Sequence, residues 1–127
     1  SKTQLVAAGA GFIVGAFVSF LFFYTHVFIE MGIVRADATI TYSEGVFTPN
    51  EITIMYGDVV QFTNASSGWM WPASDLHPTH ELYSAFDPQD PIAPGGNWLF
   101  TFTRSGAWRF HDHITPRAQG VITVGEE

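Results

Sequence analysis

The fold is decided by residues 46–64, which read VFTPNEITIMYGDVVQFTN. Within this stretch Ile52 and Ile54 alternate with residues that point to the other side, and Gly57-Asp58 marks a turn before the run 59–62. Apolar residues at every second position are typical of a β-strand with one buried face. Short strands joined by turn residues are typical of an all-β sandwich or barrel.

The same pattern continues on both sides of this stretch. Upstream, Ile40 and Tyr42 alternate with threonines, and near the C-terminus residues 98–102, 108–110 and 121–124 read as further strands. After residue 34 no segment has the period of a helix. We therefore predict an all-β sandwich over residues 35–127.

The middle of this region is interrupted by prolines. Five of them fall within 23 residues, and a proline cannot donate a hydrogen bond in a sheet. We predict one long loop here, and a loop of that length in a small domain is usually functional or disordered. The prolines are Pro72, Pro78, Pro88, Pro91 and Pro94.

Residues 1–34 have a different character. Residues 5–29 contain no Asp, Glu, Lys or Arg, and a helix of this length extends roughly 37 Å at about 1.5 Å per residue. That is enough to cross a hydrocarbon core of about 30 Å. We predict a single N-terminal transmembrane α-helix, with residues 1–34 as the anchor and 35–127 as the domain outside the cytoplasm.

The small-x-small tripeptide Ala36-Asp37-Ala38 is compatible with cleavage of a signal peptide. The apolar run is longer than the roughly 7–15 residues of a signal peptide, however, so we expect an uncleaved signal anchor. Lys2 favours a cytoplasmic N-terminus. We therefore expect a single-pass protein of the inner membrane with its C-terminal domain in the periplasm.

Two features of the anchor point to contacts within the membrane. The glycines and alanines between Ala7 and Ala16 would let a helix of another integral membrane protein approach closely, or they simply face lipid. His26 is an ionisable residue near the outer end of the span. It is a candidate ligand for a pigment or haem, or it reaches the headgroups.

Composition excludes several functions. The formal net charge is -7, whereas binding to nucleic acid needs a basic surface. The chain has no cysteine, so disulfides, thiolate metal sites and cysteine nucleophiles are excluded. No phosphate-binding glycine loop or catalytic serine arrangement is evident. The tryptophans Trp69, Trp71, Trp98 and Trp108 are interpreted as packing or membrane-interface residues.

Several segments resemble cupredoxins. They are Val46-Phe47-Thr48-Pro49, residues 57–64, residues 106–111 and residues 120–124, and the resemblance spans about 38–124. It implies a cupredoxin-like Greek-key β-sandwich. The usual copper ligands are not retained, because Asp112, Thr115 and Ala118 stand where the family's Cys, His and Met belong. The resemblance therefore does not imply a blue-copper centre.

A narrower resemblance concerns two histidine pairs. The segments His77-Pro78-Thr79-His80 and Phe110-His111-Asp112-His113 are similar to those of a bacterial subgroup of cupredoxin domains, as are Phe86-Asp87 and residues 91–96. In a strand, His111 and His113 point to the same side, about 7 Å apart. If the cupredoxin topology holds, the loop with His77 and His80 meets that strand end at one pole.

Four imidazoles without sulfur suit Cu(II) in a tetragonal site or Zn(II) in a tetrahedral one, and we favour copper over zinc. The carboxylates of Asp75, Asp87 and Asp112 are candidates to accept the second ring N–H of these histidines. The alternative is that the site is a relic, holds no metal and keeps its histidines for hydrogen bonding.

Two functions follow from this reading. The chain is either an accessory or structural subunit of a larger electron-transport or photosynthetic membrane complex, with or without copper, or a free-standing periplasmic protein that binds copper, transfers electrons or handles copper. A copper-dependent dismutase or oxidase is a third interpretation. We expect no enzymatic activity, because neither a second copper site nor a substrate pocket can be recognised in the sequence.

Overall fold

The structure is a computed structural model that describes residues 35–127. The predicted anchor, its glycine- and alanine-rich half and His26 lie outside the described residues. Between residues 35 and 127, no helix is long and apolar enough to cross a membrane.

The described residues form a β-structure with one short 3-10 helix, Glu81–Tyr83. The strands are short, as the spacing of turn residues predicted. Their bounds are β1 Ala38–Ser43, β2 Val46–Thr48, β3 Glu51–Ile54, β4 Val59–Asn64, β5 Pro72–Ser74, β6 Asn97–Thr101, β7 Gly106–Asp112 and β8 Gln119–Val124.

The strands form two four-stranded sheets. The strand order is β2-β1-β4-β6 in one sheet and β3-β8-β7-β5 in the other. The pairs β1–β4 and β3–β8 are parallel and the remaining pairs are antiparallel. From β2 to β7 successive strands alternate between the two sheets. The prediction of an all-β sandwich is confirmed for the described residues.

The core between the sheets is largely aromatic. Phe62 on β4 and Phe110 on β7 meet edge-to-face with their ring centroids 5.7 Å apart. Phe86, from the long middle segment, packs against both rings at 5.6 and 5.7 Å. All three side chains are fully buried. Phe86 thus anchors the middle segment, which contains His77 and His80, to the sandwich.

Gly120 on β8 is required by this packing. It pairs with Phe110, and a Cβ atom at this position would lie 2.5 Å from Phe110 Cε1 and 2.7 Å from the carbonyl oxygen of Asn50. Only glycine leaves room for the ring.

The prediction of one long loop through the five prolines is wrong at its start. Pro72–Ser74 forms strand β5, which pairs antiparallel with β7, Pro72 opposite Asp112 and Ala73 opposite His111. Proline is tolerated because it is the first residue of a strand at the sheet edge, where no partner needs its missing N–H. This short strand aligns the two histidine segments.

Candidate metal centre

The pairing of β5 with β7 brings the two histidine pairs together. β5 ends at Ser74 and leads directly into the loop with His77 and His80. β7 ends at Asp112, between His111 and His113. Asp75 N–H continues the pairing by donating to the carbonyl of Arg109 at 3.0 Å. Both pairs therefore start from neighbouring points at one end of the second sheet.

The four imidazoles converge on a single point. One ring nitrogen from each of His77, His80, His111 and His113 lies within 4.8 Å of the corresponding nitrogens of the other three. His77 Nδ1 is 3.2 Å from His111 Nε2, and His113 Nδ1 is 3.1 Å from His80 Nε2. Four nitrogens about 2.0–2.1 Å from one zinc ion would be roughly 3.3–3.4 Å apart in a tetrahedron. These two contacts are close to that spacing, and the remaining pairs lie within 4.8 Å.

Two of the predicted carboxylates fix the orientation of two rings. His80 Nδ1 lies 2.7 Å from Asp87 Oδ2, and His111 Nδ1 lies 2.7 Å from Asp75 Oδ1. A carboxylate accepts a hydrogen bond, so each Nδ1 carries the proton. The lone pair of each ring is therefore on Nε2, which faces the centre of the group. Carboxylates that hold metal-binding histidines act in the same way.

The other two rings present Nδ1 to the same point. In the neutral state His77 and His113 donate from Nδ1 to the Nε2 atoms of His111 and His80. These donor roles follow from the tautomers set by Asp75 and Asp87. Moving the proton of His77 and of His113 from Nδ1 to Nε2 turns all four central nitrogens into lone-pair donors. Loading with a metal would thus need a change of tautomer in two rings.

Asp112, the third predicted carboxylate, makes different contacts. Its Oδ1 accepts from the backbone N–H of Trp71 at 2.7 Å, and its Oδ2 accepts from Tyr42 O–H at 3.1 Å and from Thr115 N–H at 3.0 Å. Side chains alternate along a strand, so Asp112 faces away from its two histidine neighbours. It links the two sheets and does not orient an imidazole.

Trp71 belongs to the site, although its residue type alone indicated only packing. Its Nε1–H donates to Asp87 Oδ1 at 2.8 Å, and its ring lies against His113 with the centroids 4.6 Å apart. Its backbone carbonyl accepts from His113 N–H at 2.7 Å. The indole therefore contacts one histidine directly and a second through Asp87. The available signal in the sequence was its place six residues before His77.

The electrostatics keep His113 neutral. Burial lowers the pKa of His113, and positive charge on His80, His77 and His111 lowers it further. Burial acts to raise the pKa of Asp87, but the hydrogen bonds from His80, from the backbone of Gln89 and from Trp71 outweigh it and hold that pKa below its usual range. A neutral imidazole beside an ionised carboxylate is the state that binds a metal.

The donor set fits a copper site built from imidazoles and does not fit a blue-copper site. The blue-copper site requires a thiolate, and the chain has no cysteine. Four imidazole nitrogens, two of them backed by carboxylates, fit Cu(II) or Zn(II). Tyr42 is not a metal ligand here, since its O–H donates to Asp112 and burial raises its pKa, which keeps the hydroxyl protonated.

No protein-family model and no curated protein sequence matches the chain. Solved structures do match. A purple cupredoxin from Nitrosopumilus maritimus aligns over 70% of this chain and 100% of its own at 21% identity, with a TM-score of 0.57. A mutant amicyanin with Cu(I) aligns over 69% and 81% at 15% identity, with a TM-score of 0.59.

Another amicyanin mutant in its Cu(I) form covers 75% of this chain and 88% of its own at 13% identity, with a TM-score of 0.61. At these identities the likeness concerns the fold, and it agrees with the resemblance read from residues 38–124. Residues 35–127 have the cupredoxin fold, with four convergent histidines and without the cysteine of a blue-copper centre.

Proposed function

We propose that residues 35–127 form a domain that binds copper through the four imidazoles of His77, His80, His111 and His113. The observation that carries this proposal is the convergence of four ring nitrogens within 4.8 Å of one another. The carboxylates of Asp75 and Asp87 support it, because they already direct two lone pairs to the centre. When bound, copper would supply a one-electron redox couple, or it would itself be the ion that the domain stores and delivers.

The residues hold the metal by preorganisation. Asp75 and Asp87 fix the tautomers of His111 and His80, Trp71 fixes the plane of His113, and β5–β7 pairing fixes the distance between the two segments. Sulfur donors are absent from the four-histidine group, so a Cu(II) form would be pale, without the intense blue colour of thiolate sites. We favour copper over zinc on the fold, which the copper-containing amicyanin structures share.

We further propose that the chain acts at a membrane, as an accessory subunit of a larger electron-transport assembly. The support is in the sequence, where residues 5–29 carry no charged side chain and the first half of that segment is rich in glycine and alanine. A free-standing periplasmic copper-binding protein is the alternative. Co-purification of the chain with integral membrane proteins separates the two.

The test of the metal site is a titration of the 127-residue chain with Cu(II) and Zn(II). We expect Cu(II) to bind more tightly than about micromolar, and the melting temperature to rise with free metal, since ligand at 100 times its Kd stabilises the folded state by about 2.7 kcal/mol. His80→Ala and His111→Ala should each weaken binding sharply. His26→Ala, in the predicted membrane segment, is the control and should bind like the parent.

Two results would contradict the proposal. One is that neither metal binds more tightly than about micromolar. The other is that the double variant His80→Ala/His111→Ala binds as well as the parent. In either case the histidines serve hydrogen bonding alone and the domain is structural.

A further inference from the structure

The four histidines are not held equally firmly. The side chains of His80 and His111 are only 4% and 3% exposed, and each is 2.7 Å from its carboxylate. Asp87 is itself held by Trp71 Nε1–H and by the backbone N–H of Gln89, both at 2.8 Å. Moving either histidine would break a charge-assisted hydrogen bond and expose a buried ring.

His113 is held by the strand end rather than by a carboxylate. Its backbone N–H donates to the carbonyl of Trp71 at 2.7 Å. Its half-buried ring packs on the indole of the same residue at a centroid distance of 4.6 Å. The ring cannot leave the group without losing that contact.

His77 has none of these supports. It lies in an exposed turn, between Leu76 and Pro78, which are exposed as well. Within residues 35–127 its backbone makes no hydrogen bond, and no carboxylate accepts from its ring. Its only hydrogen bond in that range joins Nδ1 to His111 Nε2 at 3.2 Å. Rotation of this side chain would give up ring contacts with His113 and His111, at centroid distances of 4.9 and 5.1 Å, but would break no hydrogen bond to a carboxylate.

We infer that His77 is the exchangeable ligand of the proposed copper site, where an imidazole that arrives from outside the domain can replace it. The inference rests on the proposed function. In the exchange the bond from the metal to His77 Nδ1 breaks and a bond to a nitrogen of the incoming neutral imidazole forms. One neutral donor replaces another, so the charge and oxidation state of the metal do not change.

The geometry favours entry at this position. His77 is the one exposed member of the group, whereas His80 and His111 are buried and His113 is half-buried. A donor that arrives from solvent therefore reaches the metal where His77 leaves it. His80, His111 and His113 would hold the metal during the exchange, since carboxylates orient His80 and His111 and Trp71 contacts His113 without the help of His77.

The experiment compares His77→Gly with His111→Gly in the 127-residue chain, with free imidazole as the incoming donor. Removing an outer carboxylate of a metal site typically lowers metal affinity about 10–100-fold. His111→Gly removes a ligand itself, so its Cu(II) affinity should fall by at least this factor. The Cu(II) affinity of His77→Gly should fall by a smaller factor than that of His111→Gly. Adding free imidazole to the copper-loaded His77→Gly variant should shift its electron paramagnetic resonance spectrum back to that of the parent.

The inference is overturned if His77→Gly loses as much affinity as His111→Gly, or if imidazole leaves the spectrum of His77→Gly unchanged. Binding of Cu(II) to the parent tests the proposed site separately from these variants. Should His111→Gly fail to fold, the parent provides the second measurement. The rate at which it releases copper should rise with the concentration of free imidazole, and a rate independent of imidazole would contradict the exchange.

Discussion

Single hydrogen bonds decide which nitrogen each histidine can offer to a metal. His80 and His111 are set by Asp87 and Asp75 at 2.7 Å. The tautomer of His113 is set by its hydrogen bond to His80 Nε2, and its ring packs on Trp71. Because the tautomer and plane of a ring determine where its lone pair points, residues outside the four histidines would control the metal affinity of the proposed site.

Trp71→Phe tests this control. The phenyl ring can still pack on His113, but the hydrogen bond from Nε1 to Asp87 Oδ1 is lost. We expect Cu(II) affinity to fall by about tenfold, at the lower end of the range for an outer partner of a metal ligand. In the double variant Trp71→Phe/Asp87→Asn, the loss of Cu(II) affinity should be smaller than the sum of the two single losses, because both changes act through His80.

The matched control is Trp69→Phe, two residues earlier, where the indole is 55% exposed. Its Cu(II) affinity should equal that of the parent in the same isothermal titration. Equal affinities of the Trp71→Phe and Trp69→Phe variants would mean that Trp71 only fills space.

The pKa of His113 predicts how the metal-free chain responds to acid. Burial and the neighbouring histidines lower this pKa in the folded state, while the unfolded chain takes up the proton near the ordinary value of about 6.5. The unfolded state thus binds more protons below that pH, and stability should fall as the pH drops through about 6.5. The lowered pKa of Asp87 adds a loss only below its ordinary value of 3.8.

Urea unfolding of the metal-free chain between about pH 7.5 and pH 5 measures this slope. The variant His113→Asn removes the titrating group and should show a shallower fall than the parent. A slope identical in both proteins would show that the acid sensitivity arises elsewhere.

At the scale of elements, one face of β7 contributes to the candidate metal site and the other face packs in the core. Its histidine His111 faces the other three histidines of the candidate site, while Phe110 and Asp112 face the core and the opposite sheet. The strand must therefore hold one exact register, since a slip by one residue would exchange the two faces. The close approach of β8 at Gly120 helps to fix that register.

Gly120→Ala should be costly for this reason. The new methyl group would meet Phe110 Cε1 and the Asn50 carbonyl at 2.5 and 2.7 Å, both in rigid surroundings. We expect the free energy of unfolding to fall by about 1–3 kcal/mol, the usual cost of overpacking a core. Gly68→Ala is the control, because a Cβ there meets nothing within 4 Å. Similar urea midpoints for the two variants would contradict this view of the β7–β8 contact.

At the scale of the whole molecule, the prediction concerns where the domain lies. The chain contains no cysteine, so Ser43→Cys introduces a single thiol, at an exposed position at the end of β1. If the anchor has its N-terminus in the cytoplasm, this thiol should react with a membrane-impermeant reagent in intact spheroplasts. Labelling only after lysis would place the domain in the cytoplasm and reverse the predicted orientation.

The sequence by itself determined the class of the fold and the donor atoms that a metal site could use. Strand periodicity is a local property of neighbouring residues, so the strands around Ile40, Ile54, Phe62 and Ile122 could be recognised without any contact being known. Donor chemistry also belongs to the residue type. Two histidine pairs without cysteine therefore indicated a nitrogen-ligand site in place of a blue-copper one.

Only the tertiary structure decided how the site is built. Asp75 and His111 are 36 positions apart and meet because β5 pairs with β7, and β5 starts at a proline that local rules assigned to a loop. Only the folded chain shows that Asp75 and Asp87, and not Asp112, orient the histidines, that Trp71 contacts His113 and that His77 is exposed. Such contacts depend on the register between strands distant in sequence, which the pattern within either strand cannot specify.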